Sequence, residues 1–316
     1  MRIDLQKNRE FLRGCADVER KSQGLQLHRF TSSLLDVYRS SEHHEIRALC
    51  PSGVRILLKT DSEKLRLPVV FGRTARPLFS FSVFVDGAET AYSWDGRGLE
   101  LLLDGNIHQV EIALPHLVEC FVGALETVDG ALAEPIPEKD HAMVFIGDSI
   151  MQGMTVSRPS LAYPDRLARL LKSEYWNLSV AGATADRRLG PLALEYEWDR
   201  LLLGFGVNDF NTSRPMEAYL EEMRETLLPL LARKKAQLFL LGPIPWAGRT
   251  KPNALGLRLK DYCEALGNLA LQFPGVRFID GRTLLPDDPV YYVDGIHPND
   301  EGEALLFRNL APVFLS

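Results

Sequence analysis

Cysteine is scarce and spread out. Cys15, Cys50, Cys120 and Cys263 are the only ones, with none of the paired spacing that builds a zinc site or a dense disulfide framework. They read as ordinary thiols, so a small fold stapled by metal or disulfides is excluded. A basic excess is missing too. With 36 Lys and Arg against 42 Asp and Glu, the formal charge is −6. No field draws such a chain to phosphate backbones, and nucleic acid is not an expected partner. No apolar run is long enough to span a bilayer. Residues 1–7 lack the apolar stretch and small-residue cleavage site of a secretory leader, so the expected location is cytoplasmic. Internal repeats and low-complexity tracts are absent as well.

What is present describes an ordinary globular protein: 316 residues, 46% hydrophobic and 25% charged. That length exceeds what one hydrophobic core usually serves, so two domains are expected. Residues 1–134 read mainly as strands. Segments 54–59, 65–71, 79–85 and 108–114 are short, apolar or alternating, and separated by turn residues. Asp86-Gly87 and Asp104-Gly105 are hairpin signals. Serial strands with regular turns predict an all-β sandwich. The polar, proline-bearing stretch 134–140 is the natural linker.

From 141 to 316 the rhythm changes. Strands are expected at 143–146, 175–180, Arg200–Gly204, Gln237–Leu241 and Val276–Ile279. Helices are expected at 161–173, 216–233, about 254–273 and about 300–314. Alternation of this kind predicts an α/β domain, a parallel sheet flanked by helices, with ligands bound at the carboxyl ends of its strands.

The first of these strands runs into Gly147-Asp148-Ser149-Ile150, which puts Ser149 where such a sheet carries its active site. A serine there also makes a helix N-cap. Near the other end lies Asp294-Gly295-Ile296-His297-Pro298, just before the last helix. One loop can thus offer an imidazole and the carboxylate that orients it. A serine hydroxyl is a weak nucleophile at neutral pH, and a neighbouring imidazole must take its proton during attack. Between these ends two glycine-bearing loops follow strands, Ala181-Gly182-Ala183 and Gly206-Val207-Asn208-Asp209. A glycine N–H can approach a ligand closely, and an asparagine amide is a neutral donor. Both suit a developing oxyanion. A turn glycine and an Asn-Asp helix cap are the plainer alternatives.

Taken together, Gly147-Asp148-Ser149, Gly182, Gly206-Val207-Asn208-Asp209 and Asp294-Gly295-Ile296-His297 resemble the four successive blocks of the SGNH, or GDSL-like, esterase and lipase superfamily. Order and approximate spacing match over essentially all of 141–316. The resemblance implies a flavodoxin-like three-layer fold, with Ser149 as nucleophile, His297 as base and Asp294 as its partner. It also implies an oxyanion hole made by the N–H groups of Ser149 and Gly182 and the side chain of Asn208, and no cofactor. Ile150 stands where leucine is commoner, an apolar exchange. The G-x-S-x-G elbow of α/β-hydrolases is not matched, since Met151 follows two after Ser149. Nucleotide-binding glycine motifs are not matched either. Asp294 and His297 alone are too few for a zinc site.

The strand-rich first part is similar, more loosely, to the β-sandwich that precedes the SGNH domain in certain bacterial carbohydrate esterases. The function this implies is hydrolysis of a short acyl ester, acetyl included, of a carbohydrate or other small alcohol. Alternatives are a lipase, lysophospholipase or thioesterase of longer acyl preference, and a non-catalytic carbohydrate-binding protein. The loop at 242–248 should emerge on the same face as Ser149. Its Trp246 is a candidate substrate-binding wall, packing of the ring inside the protein being the alternative.

Overall fold

The computed structural model describes residues 1–77, 79–248 and 251–315. Among them, five parallel strands form one sheet in the order Glu174–Asn177, Ala142–Gly147, Arg200–Gly204, Gln237–Leu241, Val276–Ile279. In chain order this is 2-1-3-4-5, the doubly wound arrangement whose direction reverses at the first strand. The strands need no alternation because helices cover both faces. Met143, Val144, Phe145 and Ile146 are at most 1% exposed, as a continuous apolar run in a parallel sheet should be. The helix Met216–Leu230 buries Tyr219, Met223, Thr226, Leu227 and Leu230, a stripe of helical period facing the sheet. Leu259–Ala270 does the same with Tyr262, Cys263, Leu266, Leu269 and Ala270.

Three of the five strands and the closing helix, Asp300–Leu315, keep the boundaries expected from sequence; the other three helices are shorter. The segment expected at 161–173 is a turn of 3-10 helix, Pro159–Leu161, followed by Tyr163–Leu170, and Lys172 ends it at φ 50°. The helix expected from about 254 starts at Leu259. Ahead of it, the Asn253 side chain accepts from the N–H groups of Leu255 and Leu257 and holds a turn. Local side-chain bonding of this kind competes with helix.

In the β-rich first part, among the described residues, two antiparallel sheets face a shared core. Leu65, Leu67 and Val69 point inward from the strand Lys64–Thr74 and meet Ile56 and Leu58 of Arg55–Thr60. The Asp86-Gly87 hairpin joins Ser82–Val85 to Ala88–Glu89, both turn residues having positive φ, 51° and 81°, as a type I′ turn requires. Two expectations fail here. Asp104-Gly105 is no hairpin. Gly98–Leu102 lies in one sheet and His108–Ala113 in the other, so the turn carries the chain across the core. The segment also contains two helices, Ser32–Tyr38 and Glu42–Leu49, outside the strand pattern. The first starts at Thr31, whose side chain accepts from the Leu34 N–H and whose helix buries Leu34, Leu35, Val37 and Tyr38.

The two parts are locked together by buried polar groups. Arg29, 1% exposed, donates to the carbonyls of Cys50, Asn177, Ser179 and Arg47. Burial pulls its guanidinium down to about 10. Arg55 pairs with Glu174 at 2.8 Å, buried, and lies over the Tyr175 ring. His116 bonds the Gly153 carbonyl at 2.9 Å. All four cysteines are free thiols.

Candidate active site

Each of the five strand ends delivers something to one place. After the first strand, Asp148 caps a four-residue helix, Ser149–Gln152, accepting from the Ile150 N–H at 3.0 Å. Ser149 is therefore the first helical residue and not the cap. Its hydroxyl lies 2.9 Å from His297 Nε2. The other imidazole nitrogen, Nδ1, lies 2.8 Å from Asp294 Oδ2 and 3.0 Å from Oδ1. A carboxylate can only accept here, which fixes the ring proton on Nδ1 and leaves Nε2 to receive the serine proton. Ser149, His297 and Asp294 thus stand in one continuous hydrogen-bonded line.

The loop holding Asp294 and His297 is braced by its own hydrogen bonds. Asp294 Oδ1 accepts from the backbone N–H of Ile296 and His297 at 3.1 and 2.9 Å. The Val293 N–H donates to the His297 carbonyl, and Ala247 N–H to the Gly295 carbonyl. Thr155 Oγ1 donates to the Pro298 carbonyl at 2.6 Å, tying this loop to the chain just past the nucleophile helix. Burial by itself would raise the Asp294 carboxyl. The N–H and imidazole of His297 and the Ile296 N–H outweigh it and hold the group far below the usual carboxylate range. His297 is lowered, first by burial. Asp294 gives part of that back, and the positive charges of Arg76 and Arg47 lower it again. The balance favours the neutral imidazole, the form in which Nε2 can accept a proton.

Two further loops complete the floor. Gly182 follows the second strand at φ +83°, where an L side chain would be strained, and an added Cβ would stand 2.8 Å from Arg47 Nη1. Gly206 follows the third strand at φ +128°, its added Cβ only 2.5 Å from Pro243. Asn208 Nδ2 donates to the Ala183 carbonyl at 2.9 Å. Beside it the fully buried Asp209 accepts from Ala185 N–H and pairs with Arg214 at 3.0 Å. The cap position of that helix belongs to Gly206, so Asn208 and Asp209 cross-link two loops instead of capping. An asparagine amide carries two hydrogens, and Ala183 takes one.

Trp246 is 3% exposed, set edge-on against Phe210 with ring centroids 5.3 Å apart. It helps line a cavity of about 280 Å³ with Pro243, Pro245, Arg258, Leu259 and Asp287. The triad residues do not line that cavity. Burial of the ring matches the packing alternative; the loop itself touches the triad loop through Ala247.

Sequence reasoning missed a further set: Arg47, His44 and Arg76 from the first part of the chain, and Gln152 from the second. Arg47 Nη1 donates to the Ala181 carbonyl at 2.9 Å, His44 Nε2 is 3.1 Å from the Cβ position of Gly182, and Arg76 Nη2 is 3.3 Å from Asp294 Oδ2. Gln152 accepts from Ala181 N–H and donates to the Arg47 carbonyl and Ser52 hydroxyl, stitching nucleophile helix to both. Nothing in the spacing of these residues marks them. Among the described residues no group of three His, Cys, Asp or Glu is arranged to hold a metal, and no helix is long and apolar enough to cross a membrane.

Residues 145–305 match the model of the GDSL-like lipase/acylhydrolase family. No curated protein matches the chain. Among solved structures, a salicylyl-acyltransferase from a tetracycline biosynthetic pathway is 20% identical with a TM-score of 0.83, the match covering 96% of this chain and 94% of that one. A protein described as a GDSL-like lipase from Bacteroides ovatus is 18% identical over 96% and 94%, TM-score 0.78. A family two carbohydrate esterase from Clostridium thermocellum, solved with cellohexaose, is 17% identical over 83% and 92%, TM-score 0.65.

Proposed function

This chain belongs to the GDSL-like lipase/acylhydrolase family and is a carboxylic ester hydrolase; we propose that it works through Ser149, His297 and Asp294 on a short acyl ester, acetyl included, of a carbohydrate or other small alcohol. The observation that carries the triad is the line from Ser149 Oγ through His297 to Asp294, with contacts of 2.9 and 2.8 Å. In this mechanism Ser149 Oγ attacks the ester carbonyl as Nε2 takes its proton. Asp294 holds the ring and balances the imidazolium. The tetrahedral oxyanion is met by the N–H groups of Ser149 and Gly182 and by the second amide hydrogen of Asn208. His297 then protonates the departing alkoxide. Water, deprotonated by the same imidazole, cleaves the acyl-enzyme and restores the serine.

What supports a short acyl group is the loop 242–248, tied to the Asp294–His297 loop through Ala247 and braced from within by Trp246 on Phe210. The two antiparallel sheets of the first part, sharing one core, are read as a sandwich whose helix Glu42–Leu49 forms a wall of the cleft. Rates over a graded series of acyl esters should fall beyond short chains. Equal rates for long chains would favour the lipase or thioesterase alternative and remove Trp246 from the acyl limit. The salicylyl-acyltransferase likeness supports a second reading, in which an alcohol intercepts the acyl-enzyme ahead of water. Product analysis with added alcohols separates the two.

The decisive test is Ser149→Ala. Turnover should fall by about 10⁴-fold or more with unchanged thermal unfolding, and a serine-directed phosphonate should label Ser149 alone. Retained turnover in the alanine variant ends the serine mechanism, whereas no turnover by the wild type on any ester of the series would favour the non-catalytic alternative.

A further inference from the structure

Against the Gly182 loop and the Asp294–His297 loop lies a lip built from the first part of the chain, and its charge is out of keeping with the rest of the molecule. Arg47, on the helix Glu42–Leu49, reaches to within 2.9 Å of the Ala181 carbonyl, beside Gly182. Arg76, past the strand Lys64–Thr74, reaches Asp294 at 3.3 Å. His44 stands at the same Gly182 corner. Of the arginines around it, Arg39 is paired with Asp36 and Arg73 with Glu119 and Glu45, while Arg29, turned inward, spends its donors on four carbonyls. Among the described residues, Arg47 has no carboxylate within ion-pair distance; its side chain meets only a carbonyl. The mouth therefore holds two guanidinium charges against the single carboxylate of Asp294, with His297 neutral, in a chain whose formal charge is −6.

Half-burying a guanidinium with no counter-ion is costly, and the cost here is visible: Arg47 is lowered from its ordinary value, first by burial and then by the like charge of Arg76. If Arg47 served only to hold the Ala181 carbonyl, a neutral donor would do so more cheaply. A planar fork beside the reacting carbonyl is instead suited to a carboxylate. We propose that the ester this enzyme takes carries a carboxylate close to the scissile bond, received between Arg47 and Arg76, and that this pair sets a preference for acidic over neutral esters. The proposal rests on the Ser149 reading above. It makes Arg47 and Arg76 specificity residues, and it leaves open only which side of the ester bears the acid.

The test uses the full chain and two pairs of esters. One pair is an aryl hemisuccinate and its neutral amide, with the acid on the acyl side. The other is an O-acetylated 2-hydroxy acid and its amide, with the acid on the alcohol side. The wild type should favour the acid of at least one pair by about tenfold or more in kcat/KM, chiefly through KM. Added salt should erode that ratio while leaving the amide's rate nearly flat. In Arg47→Gln the ratio should collapse towards one, and in Arg47→Lys, which keeps the charge but not the fork, it should survive in part. The pair that shows the preference names the side that carries the acid. A ratio near one for both pairs in the wild type, or a ratio that Arg47→Gln leaves intact, overturns the proposal while Ser149-dependent turnover of the amides still stands. Turnover that survives Ser149→Ala overturns both. The salt series needs no variant, so misfolding of Arg47→Gln cannot shelter the idea.

Discussion

The carboxyl ends of the five parallel strands and the β-rich first part both reach Ser149, by different physics. At the strand ends, the functional groups sit on short local motifs. Ser149 comes two residues after the strand ends at Gly147, and Asp294 holds His297 three positions on. From the first part, Arg47 and Arg76 arrive on elements far away in sequence, and their place depends on how the two parts dock. Chemistry is written locally here, while the surroundings that choose the substrate are written in long-range contacts. Local writing survives in sequence as motif; long-range writing does not.

The sharpest way to break this comparison is to loosen the docking. Arg29 answers four buried carbonyls, two from each part. Replacing it with methionine keeps volume and removes every donor. Each orphaned carbonyl costs about 1–3 kcal/mol, so Arg29→Met should be the most damaging change, lowering the unfolding midpoint in urea markedly. Activity should fall further than stability explains, because Asn177 and Ser179 lead into Gly182. A variant of near-native midpoint would mean that apolar contact alone joins the two parts.

A middle-sized effect tests the strand-end side alone. Asn208→Ala should lower kcat by about 10²–10³-fold with KM little changed, since the bond to the oxyanion forms only in the transition state. Neither Asn208→Ala nor Asn208→Asp can donate, so both also lose the Ala183 cross-link, which would show as lower stability; a kcat loss with unchanged thermal unfolding in both assigns the donor role. An unchanged kcat in both variants would leave Asn208 a loop tie.

How far the sequence could be read follows the same division. Strands Arg200–Gly204, Gln237–Leu241 and Val276–Ile279 were legible to the residue, because a strand buried on both faces is a bare apolar run. The contact of Asp294 with His297 was legible because only three positions separate them. The two helices at Ser32–Tyr38 and Glu42–Leu49 were not, although Thr31 is an ordinary cap signal, since strands surround them on both sides. Asp104-Gly105 misled because a turn dipeptide specifies a reversal, not which sheet the next strand joins. Nothing local distinguishes Arg47 from the solvated arginines around it.

The smallest expected effect asks whether the first part tunes the base as well as the substrate. His297 is lowered from its ordinary value by burial first, partly restored by Asp294, and lowered again by Arg76 and Arg47. It must be neutral to accept the serine proton, so kcat/KM should rise with pH through its pKa, with the acid limb below the ordinary histidine value of 6.5. Arg76→Gln removes one positive neighbour and also releases Asp294 from its 3.3 Å ion pair. Both changes favour the imidazolium, so the acid limb should move to higher pH, by less than about one unit for a pair this open to solvent. The plateau above it should hold its shape. In the wild type, salt should move the limb the same way by screening Arg76. A limb that stays in place in Arg76→Gln would mean that water already screens the pair, whose side chains are 31% and 39% exposed. The base would then owe its neutrality to burial on the strand-end side alone.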